Sequence, residues 1–367
     1  MGRVFFILLI LLTAVSAPAA ENRHVTDALG RQVAVPSEVE RVICSGPGCL
    51  RLLTYLRAQD MAVGVDDMEK RRPAFDARPY ALGHPEFKKL PLFGEFRGHD
   101  NPELIASLDP APQVILKTYP TMGHDAAELQ AKTGIPVVGL EYGDLVNYRE
   151  QLNHALRTMG RVVGKSERAE EVINYFDGAI ADLHERSGDV ADPRRPTCYV
   201  GGIAKKGPHG FQSTNPTYPP FVFTNADNVA SDPSLTGRAR QHANVAKEML
   251  LVWDPDVLFL DLATMQLAGA ASGLHELRTD PVYQALSATG EGRVYGLLPY
   301  NWYTKNFGTI LANAYFVGKT LYPERFDDVD PAAKADAIYS FLVGESVFDR
   351  MNESFRGMAY RRIQVAE

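Results

Sequence analysis

Two stretches of the chain gather side chains that can hold a solute. Tyr300-Asn301-Trp302-Tyr303-Thr304-Lys305-Asn306 sets aromatic rings and an ammonium group side by side. Residues 199–223, YVGGIAKKGPHGFQSTNPTYPPFVF, begin as a buried strand, break on Gly201-Gly202, and then carry Lys205, Lys206, His209, Tyr218 and Phe221 among prolines. Aromatic faces bury flat or chelated molecules, and ammonium groups answer anionic ones. No packed helix or strand suits such a mixture, so the second stretch reads as one long loop.

Such loops need a frame, and the rest of the chain supplies it. RVICS (41–45), AVGVDD (62–67), LPLFG (90–94), QVILKTYP (113–120) and PVVGLEYG (136–143) are short apolar runs bounded by turns. Between them lie amphipathic runs: CLRLLTYLRAQ, then NPELIASLDP with Asn101 as cap and Pro102 at its first position, then AAELQAKTG stopped by glycine. Strands alternating with helices imply βα units and a mostly parallel sheet. Residues 147–187 then read as almost continuous helix. Gly160 and Gly164 split it into a shorter helix and one of about 20 residues from Ser166, roughly 30 Å long. In the second helix Ala169, Val172, Ile173, Phe176, Ile180 and Leu183 recur at helical spacing. The α/β rhythm returns with TCYVGG, NVAKEMLLVW, DVLFLD, LHELRTDPVYQAL and RVYGLL, and ends with helices over 306–321 and 331–356.

The predicted fold is therefore α/β: two lobes, each with a mostly parallel central sheet flanked by helices, joined by one long rigid helix. The expected boundaries are 1–20 for a leader, 21–145 for the first lobe, 146–188 for the linker helices and 189–367 for the second lobe. Ligands of open parallel sheets sit outside the carboxyl ends of the strands. That rule adds Ser45, Gly46 and Pro47 after RVIC, Tyr119 after QVILKT and Tyr142 after VVGLE to the candidates from the two loops.

Other features bound the function. MGRVFFILLILLTAVSAPAA reads as a secretory leader, because its apolar run from Val4 to Leu12 falls short of the roughly 20 residues of a membrane span. The mature chain is expected to be soluble and periplasmic. A net charge of -7 with no basic block argues against nucleic acid. Three cysteines are too few for a disulfide scaffold. Cys44 and Cys49 either pair across the turn CSGPGC or stay as buried thiols. Enzymatic constellations are missing: GKS at 164–166 lacks the lead of a phosphate loop, no G-x-S-x-G appears, and CSGPGC lacks Cys-x-x-Cys spacing. His84, His99, His124 and His209 each sit beside a glycine without metal-site spacing. Direct ligation by Tyr119, His124 or His209 stays open.

The order and spacing of these segments resemble the helix-linked (class III) periplasmic substrate-binding proteins of ABC importers, the group that captures ferric siderophores, haem and cobalamin. The likeness runs from VTDALGRQVAVPSEVERVI (25–43) through AVGVDD, NPELIASLDPAPQVILKT and GRVVGKSERAEEV to NVAKEMLLVWDPDVLFL, nearly the whole mature chain. It implies a monomer with no intrinsic cofactor, whose partners are a membrane permease with its ATPase and a small-molecule metal chelate: an iron-siderophore, haem or a corrinoid. It assigns Glu103 and Glu248, one per lobe, to pairing with permease arginines. It places Trp302 where related cobalamin binders carry an aromatic on the cleft floor. Two other classes remain as expectations to weigh, a scavenger of bare transition-metal ions and a periplasmic enzyme. The stiff linker helix implies limited closure of the lobes.

Overall fold

The computed structural model describes residues 22–71, 73–190, 195–231, 241–267 and 269–365; the leader assigned to 1–20 lies outside them. The chain starts with an antiparallel hairpin, β1 (Asn22–Thr26) and β2 (Gln32–Pro36). Its turn is closed by Asp27, which accepts from the backbone N–H of Leu29 and Arg31 and pairs with the Arg31 guanidinium at 2.6 Å. Arg31 also donates to the Val137 carbonyl, which pins the hairpin to the first sheet.

That sheet contains β3 (Val42–Ser45), β4 (Ala62–Asp66), β5 (Leu92–Glu95), β6 (His99–Asp100), β7 (Val114–Thr118) and β8 (Val137–Leu140). Their order is β6-β5-β4-β3-β7-β8, parallel throughout except β6. The second lobe holds β9 (Thr197–Gly201), β10 (Ser213–Thr214), β11 (Asp227–Asn228), β12 (Ala243–Asn244), β13 (Val257–Asp261) and β14 (Val294–Leu297). Its main sheet runs β11-β9-β13-β14, all parallel, and β10 pairs with β12 beside it. Strands β3, β7, β8 and β13 are buried at every position. Helices on both faces exclude water from them, so they read as continuous apolar runs and not as alternation.

The helices Arg149–Val162 and Ser166–Ser187 join the lobes. The break falls at Gly164, whose φ of 68° is left-handed. Gly160 instead lies inside the first helix, where a Cβ would come within 2.9 Å of Ala169, so it lets the helices approach and does not split them. The second helix, at 22 residues, is about 33 Å long. It buries Ala169, Val172, Ile173, Phe176 and Leu183. Phe176 meets Phe307 edge-on at 6.0 Å, and Phe307 stacks on Tyr142 at 5.0 Å. Through such contacts one apolar cluster runs from the first lobe into the second, while a smaller one of Ile43, Phe93, Ile105, Ile115, Leu129 and Val137 fills the other face of the first sheet.

Three predicted helices are corrected in detail. NVAKEMLLVW starts only at Lys247, because Ala243 and Asn244 pair with β10. LHELRTDPVYQAL divides at Pro281, with Asp280 capping the second piece. The 331–356 helix divides at Gly344, left-handed at φ 89°. Among the described residues no helix is long and apolar enough to cross a membrane.

Candidate functional site

A cleft of about 700 Å³ opens between the lobes, and its lining follows the strand ends. From the first lobe come Pro47 after β3, Met68 and Arg71 after β4, Phe96 and Arg97 after β5, and Tyr119 and Met122 after β7. From the second come Ala204, Lys206, Gly207 and Pro208 after β9, Gln266 after β13, and Asn301, Trp302, Tyr303 and Thr304 after β14. Both Arg71 and Arg97 lie against the Phe96 ring, at 4.4 and 5.1 Å. Arg71 is balanced by Asp67 at 2.7 Å. Arg97 and Lys206 have no ion pair among the described residues, and the lining contains no Asp, Glu, His or Cys. Its field is therefore positive. A depression of similar size, about 790 Å³, lies on the first lobe alone and is lined by Asp67, Glu95, His99 and Glu103. Its acidic walls come from one lobe, so it lacks the two-sided enclosure of the cleft.

The segment 300–306 forms the seam between the lobes. Tyr303 donates to the Asp66 carboxylate, Tyr119 and Thr304 share a hydrogen bond of 2.9 Å, and Tyr142 donates to the Lys305 carbonyl at 2.6 Å. Lys305 reaches Asp144 at 2.8 Å. Burial works against the Asp144 charge, but Lys305 and the backbone N–H groups of Val146 and Tyr148 hold its carboxyl below the ordinary range. Arg51, fully buried on the helix Cys49–Tyr55, donates to the carbonyls of Trp302, Tyr303 and Lys305.

The structure gathers some of the sequence candidates and scatters others. Pro47, Tyr119, Lys206, Trp302 and Tyr303 line the cleft, while Gly46 and Tyr142 lie behind that lining. Ser45 is buried below it, donating to Asp100. Lys305 points to Asp144, and Lys205 and His209 stand on the same loop outside the lining, His209 held by the Lys205 carbonyl at 2.9 Å. Tyr218, Phe221 and Tyr300 are buried. Tyr218 packs on Phe221 and Tyr300 at 4.9 and 5.5 Å, so these three rings build the core of the second lobe. This corrects the reading of the stretch that ends at Phe223 as one long loop: its second half folds back through the helix Pro219–Phe223. Cys44 and Cys49 are free, buried thiols, so the pairing weighed from CSGPGC is not formed. Burial pushes the Cys44 thiol up, and neighbouring Cys49 adds to it. Glu103 and Glu248 are both exposed at the second position of their helices. Arg51, Arg71, Phe96 and Arg97 were missed, although the last three follow strand ends and the rule that selected Tyr119 would have selected them.

The seam carries a pH dependence. Burial, then Glu69, push the Asp66 carboxyl up to about 7 against the pull of the Tyr303 hydroxyl. In the unfolded chain the group titrates near 3.9. The folded state thus holds a proton that the unfolded state has lost between about pH 4 and 7, and stability falls as pH rises through that window. From pH 5 to 8 the expected loss is about 2–3 kcal/mol, at roughly 1.4 kcal/mol per pKa unit. Denaturant unfolding at both pH values should show it, and Asp66→Asn should flatten it. An equal slope in both proteins would refute the assignment.

Two α/β lobes on a helical linker, with a walled and positively charged cleft at the strand ends, define a protein that captures a solute. The chain belongs to the periplasmic binding protein family, whose model matches residues 42–300. It is a binding protein of ABC-transporter type and not an enzyme. It is 23% identical over 340 residues to the molybdate-binding protein MolA of Haemophilus influenzae, covering 87% of this chain and 90% of that one. Among solved structures it resembles a periplasmic solute binding protein of Veillonella parvula (TM-score 0.69, 18% identity, 91% of this chain and 97% of that one). It also resembles the petrobactin-binding protein YclQ of Bacillus subtilis (TM-score 0.57, 17% identity, 83% and 99%). At those identities the structures share the fold.

Proposed function

We propose that this protein is the extracytoplasmic capture component of an ABC importer and that its cargo is an anionic metal chelate of the ferric-siderophore class. The observation that carries this is the lining. Arg71, Arg97 and Lys206 supply positive charge, Phe96, Tyr119, Trp302 and Tyr303 supply ring faces, and no acidic, imidazole or thiol group competes for the metal. A volume near 700 Å³ suits a small organic ligand, for which sites run about 300–1,000 Å³. A bare cation is a poor match to such a lining, and among the described residues no group of three or more His, Cys, Asp or Glu is placed to hold one. The leader would deliver the chain to the periplasm. Exposed Glu103 and Glu248 would meet basic groups of the permease, steering and registering the docked complex more than strengthening it.

A second reading is a molybdate-type oxyanion. It is favoured by the relative that binds molybdate and by the same cations. The size and aromatic lining of the cleft favour the larger cargo. Calorimetric titration of the mature chain with a tris-catecholate ferric complex, and separately with molybdate, divides the two. The ferric complex is expected to bind, and Arg97→Ala or Lys206→Ala should each weaken it about 10- to 100-fold, the worth of roughly 1.5–3 kcal/mol for a charged hydrogen bond. Binding of molybdate alone would establish the second reading. Binding of neither, or of a haem or corrinoid identified by its Soret or corrin band, would overturn both.

A further inference from the structure

The loop that supplies four of the nine second-lobe residues in the cleft lining does not hold its shape unaided. Tyr303 and Thr304 are both left-handed, at φ 49° and 63°, a conformation that residues with side chains seldom adopt. Asn301, Trp302, Tyr303 and Thr304 all face the cleft, so the strained turn and the binding surface coincide. Beneath it lies a buried cation. Arg51 is 0% exposed and has no ion pair among the described residues, although arginine is almost never buried without one. Its donors go elsewhere. Nη1 donates to the Tyr142 hydroxyl and to the Lys305 carbonyl at 2.8 Å, and Nη2 to the carbonyls of Trp302 and Tyr303, both at 3.1 Å. Tyr80 and Tyr142 flank the guanidinium, 5.2 and 5.9 Å from ring to carbon. One fork-shaped donor from the first lobe therefore spans three carbonyls of a loop from the second.

We infer that Arg51, which does not line the cleft, is the positioning residue for capture: it holds residues 302–305 in their strained, ligand-ready turn and so sets affinity through the shape of the empty cleft. The inference rests on the reading of this cleft as the solute site. Its logic is preorganisation. A loop held in its bound shape before the solute arrives avoids the cost of ordering, whereas a released loop reduces apparent affinity by the fraction of time it is correctly formed. Geometry, not charge alone, is what Arg51 supplies. Lysine keeps the charge but offers its donors from one point, and cannot span the carbonyls as the planar guanidinium does.

The test uses Trp302 as reporter. The chain has two tryptophans, so Trp253→Phe leaves Trp302 as the single emitter. In that background Arg51→Lys, Arg51→Met and Tyr142→Phe are compared by acrylamide quenching without ligand, and by calorimetry with the tris-catecholate ferric complex and with molybdate. The expected result is a ligand-free quenching constant raised about twofold or more in both Arg51 variants, with affinity lower by roughly tenfold or more for whichever probe the parent binds. Tyr142→Phe, which removes one anchor and no charge, should fall between. Saturating ligand should return the Trp302 shielding of Arg51→Lys to the parent value, which general damage to the fold would not allow. Arg51→Lys matching the parent in both readouts would overturn the inference, as would unchanged affinity beside raised quenching. Should the parent bind neither probe, the capture reading is what fails, and quenching alone still decides whether Arg51 holds the loop. Should Arg51→Met not fold, the other two variants carry the test.

Discussion

Replacing Lys117 by methionine is expected to remove about 3–5 kcal/mol of stability, the cost of breaking a buried ion pair from one side. Lys117 and Asp100 are both fully buried and lie 2.6 Å apart. The ammonium also donates to the Ser45 hydroxyl at 3.0 Å and the Gly98 carbonyl at 3.3 Å, and Ser45 in turn donates to Asp100. Asp100 Oδ1 already lacks a partner, so without the lysine the carboxylate keeps only the serine hydroxyl. The pair is not expected to be a net source of stability: removing both charges with apolar groups of similar volume is often neutral. Lys117→Met/Asp100→Leu should therefore recover most of the loss, a strong coupling between neighbours. Urea unfolding of the two singles and the double decides it, and a loss below about 1 kcal/mol in Lys117→Met would sink the argument. Function follows the same pair, because Gly98 adjoins Arg97 and a turn released from Lys117 no longer fixes that guanidinium in the cleft.

The architecture was legible because burial writes it directly. Strands buried on both faces leave apolar runs such as VILKT and VLFLD, and the helices between them carry their own caps: Asn101 accepts from Leu104 N–H, and Gly134 ends its helix at φ 70°. What was lost were two-residue strands. β6, β10, β11 and β12 carry no periodicity of their own and exist only because a neighbour's edge is present. Gly160 and Gly164 look alike in sequence, yet one is a close approach and the other a break, a difference set by where Ala169 arrives.

The site was legible only in part, since residue type does not say which way a ring turns. Tyr218 and Phe221 have the composition of a binding loop, but Pro219 and Pro220 start a short helix that carries both rings into the core. Trp302 and Tyr303, in a stretch just as aromatic, stay at the cleft because Arg51 holds their backbone from below. Arg51 itself was invisible. CLRLLTYLRAQ reads as an amphipathic helix, whereas Cys49–Tyr55 is buried at every position. The segments around it include residues 302–305, far along the chain, and no local pattern announces them.

That junction makes Gly48→Ala the second substitution of large effect. Gly48 caps the helix that bears Arg51, at φ 78°. A Cβ there would stand 2.3 Å from Tyr142 Cε2 and 2.7 Å from Thr304 Cγ2. Neither neighbour is free to give. Tyr142 is 1% exposed and tied to Arg51 and Lys305, and Thr304 is held by Tyr119. Overpacking of about 1–3 kcal/mol adds to roughly 1–2 kcal/mol for a left-handed residue with a side chain. Gly134→Ala separates the two contributions, since Gly134 has the same backbone at φ 70° and nothing within 4 Å of its Cβ. It should cost only the backbone share. Gly48→Ala should also push Thr304 outward and weaken capture, whereas Gly134→Ala, at a helix end outside the cleft lining, should leave affinity unchanged. Equal losses of stability in the two variants would mean that the Gly48 contact relaxes at little cost, and that the seam between the lobes is looser than its hydrogen bonds imply.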